Sequence, residues 1–590
     1  MCFRRYTIKR MSALILALLI VAAAFAGCSD SKDDTKSNAY GWVNHYLSAA
    51  PSSLNQYSGS ETNNSTIMGL CTGAMYSLLF AEDGSGTEMT PIIASEMPIQ
   101  LDTEGKQWQI NIRKDYKWSN GDELNANDII YSLQMLLDPE MYNLTASTAT
   151  SAYSCPVGFY EYQQGDIDWS KVGVQMKDNY TILVTTENPT DQINVAEFFA
   201  MRVTAPVYKP YFEAGMSEDR SVTVYGTDVD NFMSCGPFML TEWIPDGKVT
   251  VARNPYWPYS DRIKIEGIKY QIIPDSNTAM EIFLLGDIDF VELDYALWES
   301  YEDDPRVYEY FDDSLMYMFI NDGNPTQNGI MGNRNFRDAI YWGTDRVHLA
   351  EVINSYPVSR YIRNSVVGDP NTGTRYIDMP GATYFIDDPY NMYDPEKANA
   401  SLAKALEECS LASCTFELMY PETSTQGRAR NELIQKQYAD TFAGKLEIKL
   451  RTVPSGQTTA LRRWNPDNPT SYEGTIGSLY PSAADPIYSF TYFTSGYNPP
   501  RFKWTSEEFD ALYARAESRE AMNDLDLKLE LCYKMEKMLL DERVIIPLYE
   551  TPTKVLFNDR IKLPVESFVL GFGLSDGAGF GFPMYVSIVE

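Results

Sequence analysis

Apolar and polar residues alternate through Trp108, Gln109, Ile110, Asn111, Ile112 and Arg113. That period of two predicts a half-buried strand. Gly121 marks a turn, and Asn125 followed by Asp128 has the spacing of a capping box. Ile129, Ile130, Leu133, Leu136 and Leu137 then recur on one face of a predicted helix. Tyr180 to Thr186 predicts another strand, ended by Asn188-Pro189. Val249, Val251 and Arg253 predict a strand that runs into the turn Asn254-Pro255-Tyr256-Trp257. Asp275 or Ser276 is placed to cap a helix bearing Ala279, Ile282 and Phe283; Gly286 stops it, and Ile288, Phe290 and Val291 resume as strand. Further on, Thr505 and Glu508 have capping-box spacing, and Phe509, Leu512, Tyr513 and Ala516 follow at helical intervals. A second helix carries Leu527, Leu531, Met535, Met538 and Leu539, and Val544 to Tyr549 predicts a buried strand. Interleaved strands and helical patches point to α/β or mixed α+β lobes.

The first residues follow another pattern. Arg4, Arg5, Lys9 and Arg10 precede a run of 16 small or apolar residues, Met11 to Ala26, which ends at Phe25-Ala26-Gly27-Cys28. Basic start, apolar centre and small residues before the cut read as a secretory signal. The run is shorter than the ~20 apolar residues that span a bilayer. Its small-small-Cys ending resembles a bacterial lipobox, with Phe25 where that pattern prefers Leu. The resemblance implies cleavage after residue 27 and a lipid on Cys28. Residues 28–37 are polar and read as a flexible tether. No other segment reaches membrane-spanning length, so the remainder is expected outside the membrane.

Composition narrows the function. At about 150 residues per domain, 590 residues suggest two to four domains. Apolar residues make up 44% and charged ones 22%, ordinary for a chain that buries large cores. A formal net charge of −33 argues against nucleic-acid binding, because phosphate contacts need a basic surface. Only His45 and His348 are available for histidine chemistry. Six cysteines remain beyond Cys2 and Cys28: Cys71, Cys155, Cys235, Cys409, Cys414 and Cys532. None forms a CxxC pair, so no metal site is expected. They read as small buried hydrophobes, although Cys409 and Cys414 are close enough in sequence to bridge.

Several blocks, in order, resemble one family. Leu54-Asn55, Pro91 to Glu96, and Ile112-Arg113-Lys114-Asp115-Tyr116-Lys117-Trp118-Ser119-Asn120-Gly121 with Leu124 to Ile129 come first. Cys235-Gly236-Pro237-Phe238, Arg253-Asn254-Pro255-Tyr256-Trp257, and Phe336 to Ile340 with Asp345-Arg346 follow. They are similar to the large solute-binding proteins of bacterial ABC importers for oligopeptides, dipeptides and nickel (family 5). The residues themselves read as structural: Trp118 as a core residue, Gly121 as a turn, Arg253 and Asn254 as a backbone corner. The resemblance implies a periplasmic-binding-protein-like fold of type II, two lobes closing on a ligand by a hinge. Lobe I would comprise 38–80, 200–312 and 545–590, an extra subdomain 81–199, and lobe II 313–544.

A peptide ligand presents an amine that needs a carboxylate and a carboxylate that needs Arg or backbone donors. The family supplies the amine partner from an Asp in a segment resembled here by Gly477-Ser478-Leu479-Tyr480-Pro481-Ser482-Ala483-Ala484-Asp485-Pro486. Ser482 occupies that Asp position, and a hydroxyl does not neutralise an ammonium. Asp485 either substitutes or caps the helix that follows it. Ser60, Glu61 and Thr62 align with a segment that pairs with peptide backbone, and Glu61 is a second possible amine partner. Arg462 and Arg463 are candidates for a carboxylate. Leu479 and Tyr480 lie in the ligand-facing segment, and Tyr549 and Tyr142 are candidate pocket aromatics.

The expectation is a lipid-anchored, extracytoplasmic monomer that delivers peptides to permease subunits without a cofactor. The alternative keeps that role with a non-peptide ligand such as a sugar or a metal chelate. An enzyme is disfavoured, since no GxSxG, HExxH or Walker A motif is found. A sensor or adhesin on the same fold stays open.

Overall fold

Strand Trp42–Leu47 pairs in parallel with Gly267–Ile272, and Lys248–Arg253 and Phe238–Ile244 complete a four-stranded sheet. The computed structural model describes residues 41–590 except 59–61, 81–86, 142, 144, 151, 153, 294–296, 311–314, 364–365, 370–373, 386–392, 423, 455–460, 480–484, 498–499, 523, 563–585 and 589–590. The signal, the tether, Cys28, Ser60, Glu61, Tyr142, Tyr480 and Ser482 therefore lie outside the described residues. Trp42 onward forms one unit.

A second four-stranded sheet, all antiparallel, comes from the segment expected as the subdomain. Its order is Ile99–Gln100, Gln107–Asn111, Thr181–Thr185 and Val174–Asp178. The alternation at 108–113 does what the pattern requires: Trp108, Ile110 and Ile112 are buried while Gln109 and Asn111 are only half-buried. Helix Ala126–Leu136 packs beside it, opened by the expected capping box. Asn127 N–H donates to Asn125 Oδ1 at 3.0 Å, and Asn125 N–H donates to Asp128 Oδ2 at 2.9 Å.

These two sheets share one apolar core, and the blocks quoted above are what weld them. Trp118 is fully buried there. The Tyr116 hydroxyl donates to Cys235 O at 2.7 Å, and Ser119 N–H donates to Ser234 O at 2.9 Å. Asn254 fixes the corner: its amide donates to Gly236 O at 2.8 Å and its oxygen accepts from Tyr256 N–H at 3.0 Å. Gly121 takes φ +91°, the left-handed region that favours glycine.

A six-stranded mixed sheet organises the other half. Its order is Tyr356–Pro357, Ile546–Glu550, Leu315–Ile320, Gly474–Gly477, Cys414–Pro421, Leu446–Val453. Leu315–Ile320 shows how a strand serves two cores. Leu315, Tyr317 and Phe319 face helices Glu507–Ala516 and Leu525–Asp541, while Met318 and Ile320 face helices Arg334–Gly343, Pro395–Glu408 and Thr425–Phe442. Ser506, not Thr505, caps the first of these: its hydroxyl accepts Phe509 N–H at 3.2 Å. Asp275 caps helix Ser276–Leu285, and Gly286 ends it at φ +83°.

The two halves are joined through a three-stranded sheet, Phe290–Glu292, Thr553–Phe557, Val307–Tyr310. The chain leaves it after residue 310 and returns to it at 553. Strand Ile546–Glu550 is buried on both faces between Tyr356–Pro357 and Leu315–Ile320, so it belongs to the six-stranded sheet. The chain passes from it to strand Thr553–Phe557 of the three-stranded sheet through residues 551–552. All six cysteines beyond residue 28 are free thiols; Cys409 and Cys414 do not bridge, and burial pushes the Cys414 thiol up to about 12.

Candidate functional site

Helix Gln192–Phe198 starts at Asp191, whose Oδ1 accepts Asn194 N–H at 2.8 Å. Across from it lies the short turn of helix Pro486–Ser489, started in the same way by Asp485, whose Oδ1 accepts Ile487 N–H at 3.1 Å. Asp and Asn are favoured at such starts because their short side chains satisfy free backbone N–H groups. The Tyr488 hydroxyl spans the gap and donates to Asn194 Oδ1 at 3.2 Å. From helix Leu525–Asp541, the Lys528 ammonium donates to Asp485 Oδ2. This junction brings together residues 191–197 and residues 485–528.

Its charges do not balance. Among the described residues, Asp191, Glu197 and Asp485 are coupled to one ammonium, Lys528. Burial, with Asp485 and Asp191 adding to it against Lys528, pushes the Glu197 carboxyl up to about 8. Burial also raises Asp191. Burial alone would lower Lys528, but the carboxylates of Asp485 and Asp191 outweigh it and hold the ammonium above its ordinary value. Glu197 is 8% exposed, and its Oε2 has no hydrogen-bond partner among the described residues. A crevice of about 330 Å³ opens beside the junction, lined by Trp108, Thr190, Asp191 and Gln192 on one side and Arg519 and Met522 on the other.

The opposite charge gathers a short distance along the chain. The Arg501 guanidinium sits 4.3 Å from the Tyr492 ring centroid. Burial raises Tyr492, while Arg501, Arg463 and Arg363 pull it back. Arg462 lies 5.6 Å from the Phe319 ring centroid and against Gly477, where an added Cβ would come within 2.4 Å of its Nη1. Segment 485–501 begins on the Asp485 carboxylate, which Lys528 holds, and ends on the Arg501 guanidinium.

The other sequence candidates fall in different places. Thr62 opens helix Thr62–Cys71. Leu479 is buried in the core of helices Glu507–Ala516 and Leu525–Asp541. Tyr549 is 1% exposed in the other lobe II core, and its hydroxyl accepts from Arg430 Nη1 at 3.1 Å.

The model of the bacterial extracellular solute-binding proteins, family 5 (middle region) matches residues 88–501. The chain belongs to this family. The match runs through both four-stranded sheets and most of the six-stranded one. A curated relative, the dipeptide-binding protein DppE of Bacillus subtilis, is 25% identical over 493 residues, covering 81% of this chain and 82% of the relative. The oligopeptide-binding protein AliA of Streptococcus pneumoniae is 22% identical and covers 99% of this chain and 94% of its own. Among solved structures, OppA of Listeria monocytogenes bound to peptide superposes with a TM-score of 0.68 at 22% identity, over 93% of this chain and 99% of that one. The murein tripeptide-binding protein MppA in its unliganded open form gives 0.69 at 18% identity, over 93% and 98%. The fold is thus that of the OppA-type periplasmic binding proteins. Membership makes this a solute-binding protein of bacterial transport rather than an enzyme. Among the described residues, no helix is long and apolar enough to cross a membrane.

The junction residues Asp191, Asn194, Glu197 and Lys528, and Arg501 beside Tyr492, are new relative to the sequence candidates. One signal was available. Lys528, Cys532 and Glu536 recur every four residues on the buried stripe of helix Leu525–Asp541. Charged residues on an apolar face need partners, so they mark a polar contact inside the fold.

Proposed function

We propose that this chain captures peptides in the cleft between lobe I with its subdomain and lobe II, and hands them to the permease of an ABC importer. The observation that carries the reading is the separation of charge between two places: the carboxylates of Asp191, Glu197 and Asp485 at the junction, and the guanidinium groups of Arg501, Arg463 and Arg363 around Tyr492. A peptide is the common solute with a cation at one end, an anion at the other and amides between. Buried, each end needs a partner of the opposite charge. The names of the relatives point the same way, since DppE and AliA are dipeptide- and oligopeptide-binding proteins.

In this reading the lobes are 38–80 with 200–312 and the C-terminal strands from 553, the subdomain 81–199, and lobe II 313–550. The hinge lies where the chain passes between the three-stranded and six-stranded sheets, and the Tyr488–Asn194 bond is made on closure. Cys28 carries the lipid, and the protein works as a monomer on the extracytoplasmic face. Ser60, Glu61, Ser482 and Tyr480 border the ligand. The second reading, a non-peptide solute, draws on Ser482 standing where the family's amine-binding Asp would be.

Native mass spectrometry of the full chain taken gently from expressing cells tests this. The expected result is a ladder of added masses that match peptides. A single recurring non-peptide mass would overturn the peptide reading and favour the second.

A further inference from the structure

The junction holds more negative charge than its own cation neutralises. Asp191 and Glu197 come from one side, Asp485 from the other, and Lys528 is already bound to Asp485. Asp191 spends one oxygen on the start of its helix. Glu197 spends none of its Oε2 capacity, although the side chain is more than nine-tenths buried. A buried carboxyl oxygen with no hydrogen-bond partner is destabilising until something supplies one. Water access is at hand, since the crevice ends on Asp191, and the Thr190 hydroxyl in its wall also has no partner among the described residues. The described residues hold no group of three or more His, Cys, Asp or Glu arranged for a metal ion. What fits is a small cation that donates several hydrogen bonds.

We infer that Glu197, with Asp191, holds a primary ammonium of the ligand, entering from the crevice between the subdomain and lobe II. The inference rests on the peptide reading and deepens it: the amine partner comes from the subdomain helix, not from segment 477–486. The ammonium completes the junction, two cations against three carboxylates, and gives Glu197 Oε2 its donor. It can come from the peptide N-terminus or from a lysine side chain.

The groups facing Glu197 are Asp191 on its own element, Asp485 and Tyr488 on the facing turn, and Lys528 on the neighbouring helix. Burial keeps a proton on Glu197 at pH 7. An arriving ammonium favours the ionised form, so that proton leaves to solvent. Binding should therefore release up to one proton.

The test is calorimetric titration of the full chain with alanine tri- and pentapeptides, their N-acetylated forms, and acetyl-Ala-Lys-Ala. Free-amine peptides, acetyl-Ala-Lys-Ala, or both should bind about tenfold or more tighter than the acetylated alanine peptides, as a charged hydrogen bond requires. Which of them gains identifies the source. Glu197→Gln should bring that ratio below about threefold and abolish the buffer-dependent heat of proton release. Asp191→Asn, which keeps the helix start, should lower the ratio by a smaller factor and serves if Glu197→Gln does not fold. A preference retained in both variants, or acetylated alanine peptides binding as well as free-amine and lysine peptides, overturns the inference and leaves the peptide reading standing. Binding of none of these peptides sinks the peptide reading itself.

Discussion

Replacing Lys528 by Met removes the one ammonium that the described residues bring to the junction, while keeping a flexible chain of similar length. Lys528 and Asp485 are 11% and 12% exposed at their side chains, so water cannot take over the lost partner. Breaking a buried pair by removing one member costs about 3–5 kcal/mol, most of it from the charge left behind. Here Asp191 and Glu197 are also coupled to that ammonium, which places the expected loss at the upper end. Urea unfolding at pH 7.5 should show it in the transition of lobe II. The loss should shrink toward pH 5, because the orphaned carboxylates take up protons. The double variant Lys528→Met with Asp485→Asn should recover about 2 kcal/mol of it, the coupling expected of contacting residues. For Lys528 itself the folded value lies above the ordinary 10.5, so its contribution is present below that pH and lost above it. A loss below about 1 kcal/mol, or one equal at pH 5 and 7.5, would mean that the junction is solvated and the reasoning wrong.

Three further outcomes are expected. Tyr488→Phe removes the hydroxyl bond to Asn194 that spans the two halves; at about 1 kcal/mol it should shift the open–closed balance roughly fivefold toward open, seen as a larger radius in small-angle scattering. Glu536 accepts N–H bonds from Tyr361 at 2.8 Å and Ile362 at 3.0 Å, yet burial raises it from 4.5 to about 7. The folded state thus holds a proton that the unfolded chain has lost, so stability falls as pH rises from about 4.5 to 7; Glu536→Gln should flatten that slope in urea midpoints, and an unchanged slope would exclude Glu536 as its source. Gly474→Ala would place a Cβ 2.2 Å from the Phe416 ring, at the meeting of two central strands. It should cost about 1–3 kcal/mol, and part should return with Phe416→Leu.

Most local structure could be read along the chain, because its causes are local. The strand at 108–112, the capping box at 125–128, the stop at Gly286 and the stripe of helix Leu525–Asp541 all follow from spacing within a turn or two. Thr505 and Ser506 show the limit: both offer a hydroxyl, and only the geometry of the turn selects the one that reaches Phe509 N–H. The motif blocks identified the fold for a physical reason as well. Tyr116 and Ser119 tie their turn to residues 234–235, and Asn254 fixes the corner beside them, a task set by the architecture and not by the ligand.

The tertiary structure decided what depends on residues far apart in the chain. Strand Ile546–Glu550 reads as a buried run, but nothing in that run says which sheet inserts it. Asp191 and Asp485 read separately as helix starts, and Lys528 as one lysine among many. Only folding puts them within reach of one another, across more than three hundred residues, and removes the water that would screen them. Charge balance at a buried junction is a property of the set, so no single residue of the set announces it.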